Sequence, residues 1–139
     1  MTKIAETHHA RTLADSLGFF GSALCALHCL ALPTMIVLGT TIPASLLDDA
    51  AFHDAILSII LPSALCAFCL GCKIHKDTTV LVFGVIGLVG IWLSAAMLHD
   101  VLGESGERAV TLISAAVLMS AHYRNFKLCR SNSCQHENC

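Results

Sequence analysis

Uncharged apolar runs, broken by short charged clusters, divide this chain into four blocks. From Ser16 to Leu47 there are 32 consecutive residues without a formal charge, more than the roughly 20 needed to cross ~30 Å of hydrocarbon as a helix. Leu17 to Thr40 is the first span. The second uncharged stretch, Ala55 to Cys72, becomes long enough if the helix starts near Ala51, and Thr78 to Leu98 is the plainest span of all. A fourth run, Ala109 to Tyr123, has 15 residues before Arg124. It reaches ~22 Å, so it spans only if Arg124 and Lys127 snorkel and Tyr123 sits among the headgroups. The pattern predicts an all-α membrane protein, a four-transmembrane-helix bundle, with an N-terminal segment 1–16, a membrane domain 17–126 and a tail 127–139.

Composition agrees with the pattern. Apolar residues make up 55% of the 139 and charged residues 13%, about half the charged share of a soluble domain. A cleavable signal peptide is not expected, since Leu17 to Thr40 is longer than such an apolar region and no small-residue cleavage site follows it. Charge is useful through its distribution. Lys3, Arg11, Lys73, Lys76, Arg124, Lys127 and Arg130 all fall in the first, third and last hydrophilic segments. The other two hold Asp48, Asp49, Asp54, Asp100, Glu104 and Glu107 with Arg108 alone for the basic side. Positive residues collect on the cytoplasmic side, so both termini are expected there. Gly84, Gly87 and Gly90, spaced by three, are the residues at which helices can approach closely, and packing is the role expected of them.

Eight cysteines and eight histidines in so short a chain direct attention to metal chemistry. Cys25, His28 and Cys29 stand at i, i+3 and i+4, on one face of the first helix and about midway through it. Pro33 withholds a donor from the carbonyl of Cys29, so a kink and an unused acceptor are expected beside the thiols. A divalent cation or a thiolate alone is very costly in hydrocarbon, whereas a divalent ion held by two thiolates is neutral. Such sulfur ligands prefer Hg(II), Cu(I) and zinc to magnesium or calcium. A histidine inside a span needs a partner, so His28 is read as proton acceptor or third ligand, while a lone cysteine there would be ordinary packing.

Cys66, Cys69 and Cys72 step down the second span by threes, drifting around the helix, so adjacent pairs rather than all three are placed to chelate. Cys129, Cys134, His136 and Cys139 lie in a polar, flexible cytoplasmic tail suited to capture or release of an ion, with Arg124, Lys127 and Arg130 nearby to favour thiolates. His53-Asp54 and His99-Asp100 mark the opposite surface, as cation attractors or as ordinary helix ends. His122 is expected at the membrane interface, and His8 and His9 in solvent.

These features resemble the MerC domain of bacterial mercuric-ion transporters. The likeness rests on four short spans, a first-helix thiol group within Leu24-Cys-Ala-Leu-His-Cys-Leu, and Ala121-His-Tyr-Arg-Asn-Phe-Lys-Leu-Cys-Arg leading into the spacing C-x4-C of Cys129 and Cys134. It covers the chain from about Ala14 to Cys134. The resemblance implies a multi-pass protein of the bacterial cytoplasmic (inner) membrane, with Cys25 and Cys29 receiving Hg(II) and Cys129 and Cys134 passing it to a cytoplasmic mercuric reductase or a soluble thiol. The family's first-helix pair is C-x-x-C, whereas this chain has C-x-x-H-C, which leaves zinc, copper and cadmium as alternative cargo.

The expected mechanism is ligand exchange from Cys25 and Cys29 to Cys66 and Cys69, then out through Cys72 or the tail. The partners are the transported ion and the bilayer, with no permanently bound cofactor, no nucleic acid and room for a homo-oligomer. No nucleotide-binding motif is present, so ATP is not the expected driver. Three rivals remain. A membrane thiol oxidoreductase would need cysteines in the outer loops, and Thr41 to Asp54 and Asp100 to Arg108 have none. A histidine-ligated haem protein would show a Soret band. A metal-binding sensor or non-transporting subunit would bind without flux.

Overall fold

In the computed structural model the described residues are 2–39, 49–75 and 77–136, and they are helical almost throughout. The helices are α1 (Thr2–Val37), α2 (Asp49–His75), α3 (Thr78–Leu93), widening into a π-helical turn over Ser94–Leu98, and α4 (His99–His136). The all-α fold class read from the pattern holds, and no strand occurs among the described residues. Three windows, His9–Met35, Asp54–Gly71 and Thr78–Met97, are long and apolar enough to cross a membrane. The fourth helix falls short by composition, because Arg108 and Arg124 close off its uncharged centre.

Local chemistry sets the boundaries. Asp77 caps α3, its Oδ1 accepting from the N–H groups of Thr79 at 2.8 Å and Val80 at 3.4 Å. Gly103, at φ 68°, breaks the helical path inside α4 and turns the chain back along α3. Ser94 closes this hairpin, its hydroxyl lying 2.6 Å from that of Thr111. Pro33 and Pro62 both lie inside helices that continue past them.

Helix α1 starts at Thr2 and runs on into the first span, and the tail, expected to be flexible, is helical as far as His136. The two extensions stabilise one another. Ala14, Asp15 and Arg11 on α1 are buried at the same end of the bundle as Cys129 on α4, with Leu128 packed partly against the core. Amphipathic segments beyond the apolar runs thus gain a partner face, which a hydropathy reading of either alone does not reveal.

The core is built from small residues. Ala64, Ala67, Ala115 and Ala121 are fully buried with Ile60, Val80 and Leu118, allowing the helix axes to come close. The glycine row does this for α3, where an added Cβ would fall 2.4 Å from Phe68 at Gly84, 2.8 Å from Leu118 at Gly87 and 2.2 Å from Ser114 at Gly90. Large apolar side chains instead point outward, among them Leu13, Leu17, Phe20, Leu24 and Leu27 of α1 and Phe83, Ile86 and Trp92 of α3. An apolar exterior around a small-residue interior is the arrangement that lipid favours.

Candidate functional site

Helix α1 carries two opposed seams. The outward one is the row of leucines and phenylalanines at 13, 17, 20, 24 and 27; the inward one is Arg11, Asp15, Gly18, Ser22, Cys25 and Cys29, all buried. Both alternate steps of three and four, the period that keeps a stripe on one side of a packed helix. The inward stripe is polar or small at every step. On α4 the buried His122, Asn125 and Cys129 meet it, while the buried Thr111, Ser114 and Leu118 of the same helix pack against Ser94, Gly90 and Gly87 on the α3 side. Helices α1 and α4 run antiparallel, since Gly18 meets His122 while the region of Arg11 meets Cys129.

Cys25 and Cys29 sit at the far end of this seam from Cys129, at 0% and 2% exposure. Cys25 belongs to the central apolar cluster with Ile56 and Ile60 of α2. His28, one step off the seam, turns toward α2, where its ring lies flat on Phe52 with centroids 3.7 Å apart and planes 10° from parallel. The first-helix group is therefore a buried thiol pair with an imidazole engaged against a neighbouring aromatic ring. Among the described residues no three His, Cys, Asp or Glu side chains converge in a way that would hold a metal ion.

The second-helix thiols are placed differently. Cys66 and Cys69 are exposed on the outside of the bundle, whereas Ile60, Ala64 and Ala67 form the inner face of α2. Cys129 is buried against α1. The side chains of Cys72 and Cys134, like those of His53 and His99, lie outside the described residues, as do Cys139 and residues 40–48.

Sequence reasoning missed the polar residues between the two thiol stations. Asp15 is 3% exposed and accepts hydrogen bonds from Asn125 Nδ2 at 3.0 and 2.9 Å, with His122 Nδ1 at 3.2 Å from the same carboxylate. Asn125 also reaches the Ala67 carbonyl at 3.3 Å, so one amide ties α1, α2 and α4 together. A carboxylate at this position requires the proton of His122 on Nδ1. Nε2 is buried without a hydrogen bond and abuts Gly18, where an added Cβ would fall 2.1 Å from it. Phe68 stacks on the other side of the ring at 4.7 Å. His122 is thus an interior residue at 0% exposure rather than an interfacial one. The usable signal was the three-and-four rhythm of small and polar positions from 11 to 29, beneath the louder rhythm of Leu and Phe.

Outside the spans, Arg124 donates to Asp77 Oδ2 at 2.9 Å and holds that carboxyl well below its ordinary value of 3.8, at about 2. Arg124 is therefore spent on tying the α2–α3 turn to α4.

Comparison with curated proteins and with solved structures gives no match. The family described as MerC mercury resistance protein matches residues 15–127, a stretch that begins at the buried Asp15, contains α2 and α3 whole and includes most of α1 and α4. With its membrane-length helices and its buried thiol pair, the chain belongs to the MerC mercury resistance protein family.

Proposed function

We propose that the protein carries a soft metal ion, Hg(II) foremost, across the bacterial inner membrane by exchange between thiolates, with both termini cytoplasmic and α4 as the fourth crossing. The observation that carries this reading is the burial of Cys25 and Cys29 one turn apart inside an apolar helix. Two sulfurs that ionise together neutralise a divalent ion where neither charge alone is tolerable. Zinc sites usually take four ligands. A pair of sulfurs with no third acidic, thiol or imidazole group converging among the described residues is a better match to an ion satisfied by two.

Delivery toward the cytoplasm follows the seam between α1 and α4. Cys25 stands ten residues, ~15 Å, beyond Asp15 along α1, and the polar positions between them lead to the end of the bundle where Cys129 lies. That course keeps the ion inside the protein. A relay through Cys66 and Cys69 would place it on the outer surface of α2. The acceptor is a cytoplasmic thiol, free or on a mercuric reductase.

The test is radiotracer Hg(II) uptake into vesicles bearing the protein or its Cys25→Ser/Cys29→Ser double variant, with zinc, copper and cadmium as competitors. Uptake is expected to fall to the level of protein-free vesicles in the variant. Equal uptake by both would refute the reading.

A further inference from the structure

The end of the bundle where α1 begins and α4 finishes encloses a cavity of about 230 Å³, lined by Arg11, Thr12, Asp15, Phe126, Cys129 and Arg130. Arg11 is 5% exposed and makes no hydrogen bond or ion pair among the described residues. Its nearest acid along the helix, Asp15, is already engaged by Asn125 and His122. A guanidinium does not shed its proton in a protein, so Arg11 keeps a full positive charge in a lining whose one carboxylate is Asp15. Arg130 is exposed and adds a second cation to the lining, and His9 stands beside them. The lining therefore favours an anion, and it sets that anion beside the Cys129 thiol, itself 2% exposed.

We propose that this cavity binds a small thiol bearing a carboxylate, with the carboxylate on Arg11 and the sulfur against Cys129, and that the transported ion leaves the protein there. This rests on the reading of the cargo given above. The volume equals that of seven or eight waters at ~30 Å³ each, room for a thiol the size of cysteine. Arginine presents paired donors that match a carboxylate. Release is a ligand exchange without redox change. The incoming sulfur forms its bond to the ion as the bond from Cys129 breaks, the proton of the incoming thiol passing to the Cys129 sulfur, and a second small thiol displaces the remaining protein sulfur in the same way, so that the ion departs held by two small-molecule thiolates. The guanidinium holds the acceptor in place for this step and stabilises the thiolate that attacks.

Binding is tested without metal, using S-methyl-L-cysteine, which has the carboxylate and no exchangeable thiol, on the purified full chain in nanodiscs. Saturable binding is expected, weakened at least tenfold by Arg11→Gln and less by Arg11→Lys, which keeps the charge without the paired donors, with no binding of S-methylcysteamine, which lacks the carboxylate. A second measurement follows release of Hg(II) from loaded protein. Cysteine should release it at least tenfold faster than cysteamine from the native chain, and the two should act equally on Arg11→Gln. Absence of S-methyl-L-cysteine binding, equal binding to the native chain and Arg11→Gln, or equal release by both thiols from the native chain would each overturn the proposal. So would occupation by short-chain phosphatidylglycerol to the exclusion of S-methyl-L-cysteine, since the cavity would then be a lipid headgroup site. If S-methyl-L-cysteine binds as expected but vesicles take up no metal, the cavity assignment stands and the transport reading falls.

Discussion

Ser22-Ala-Leu-Cys25-Ala on α1 and Ser63-Ala-Leu-Cys66-Ala on α2 are the same five residues, and the two helices bury them differently. Both serines are inside, yet Cys25 is fully buried and Cys66 is exposed. The difference is one of phase. On α1 the buried positions run 15, 18, 22, 25 and 29, so the serine and the cysteine share a stripe. On α2 they run 56, 60, 63, 64, 67, 68 and 71, so Ser63 lies at the edge of the stripe and Cys66 falls just outside it. Local sequence thus does not decide whether a membrane thiol meets protein or lipid; the neighbouring helix does.

The largest effect expected from this contrast is on transport. Cys25→Ser or Cys29→Ser alone should reduce Hg(II) uptake to background, because a single thiolate leaves the ion charged in hydrocarbon. Cys66→Ser and Cys69→Ser, together or singly, should leave at least half the uptake. Loss of uptake in the α2 variants would break the comparison and restore the relay through α2. A lipid-soluble maleimide sharpens it from another side, reacting with Cys66 and Cys69 in the folded protein and with Cys25 and Cys29 only after denaturation, as read by mass spectrometry.

Next comes the clamp that orients the helices around the buried pair. Asp15→Ala would strand the buried Asn125 amide and His122 Nδ1 with their acceptor gone, a loss of about 3 kcal/mol, and the thermal midpoint in detergent should fall accordingly. Gly71→Ala presses on the same clamp from the α2 side. Its Cβ would lie 2.0 Å from Asn125 Oδ1, and the shift needed to relieve this contact should be worth about 2 kcal/mol. If that clamp sets the phase of α2, maleimide labelling of Cys69 should change in Gly71→Ala while Cys25 stays protected.

These residues also mark how far the sequence alone could be read. The spans were legible because hydrocarbon imposes a minimum length of uncharged helix, and the windows found in the structure overlap the first three. The thiol pair of α1 was legible as two residues on one face. Which side α2 would turn to its neighbours was not, because its rotation is fixed by contacts with other helices, Gly71 and Ala67 against Asn125 and Phe68 against His122 and Gly84. Arg11, Asp15 and His122 read as boundary residues because each ends or flanks an apolar run. Their burial depends on the helical extensions of α1 and α4 finding one another, a pairing over more than a hundred residues of sequence.

The smallest effect separates the turn from the clamp. Asp77 divides its oxygens, Oδ1 to the start of α3 and Oδ2 to Arg124, so it fixes the α2–α3 turn against α4 at an exposed site. Its carboxyl is held at about 2 against an ordinary 3.8, so its contribution is fully present above roughly pH 4 and is lost as pH falls toward 2. Asp77→Asn should therefore lower the thermal midpoint by a small amount that is constant from pH 5 to 8, shrinks below pH 4 and vanishes near pH 2. Because the turn lies outside the seam, labelling of Cys66 and Cys69 should be the same in Asp77→Asn as in the native chain. A change there would mean that α2 takes its rotation from the turn rather than from Asn125, and the contrast between the two serine-cysteine pairs would then originate at the membrane surface instead of in the bundle.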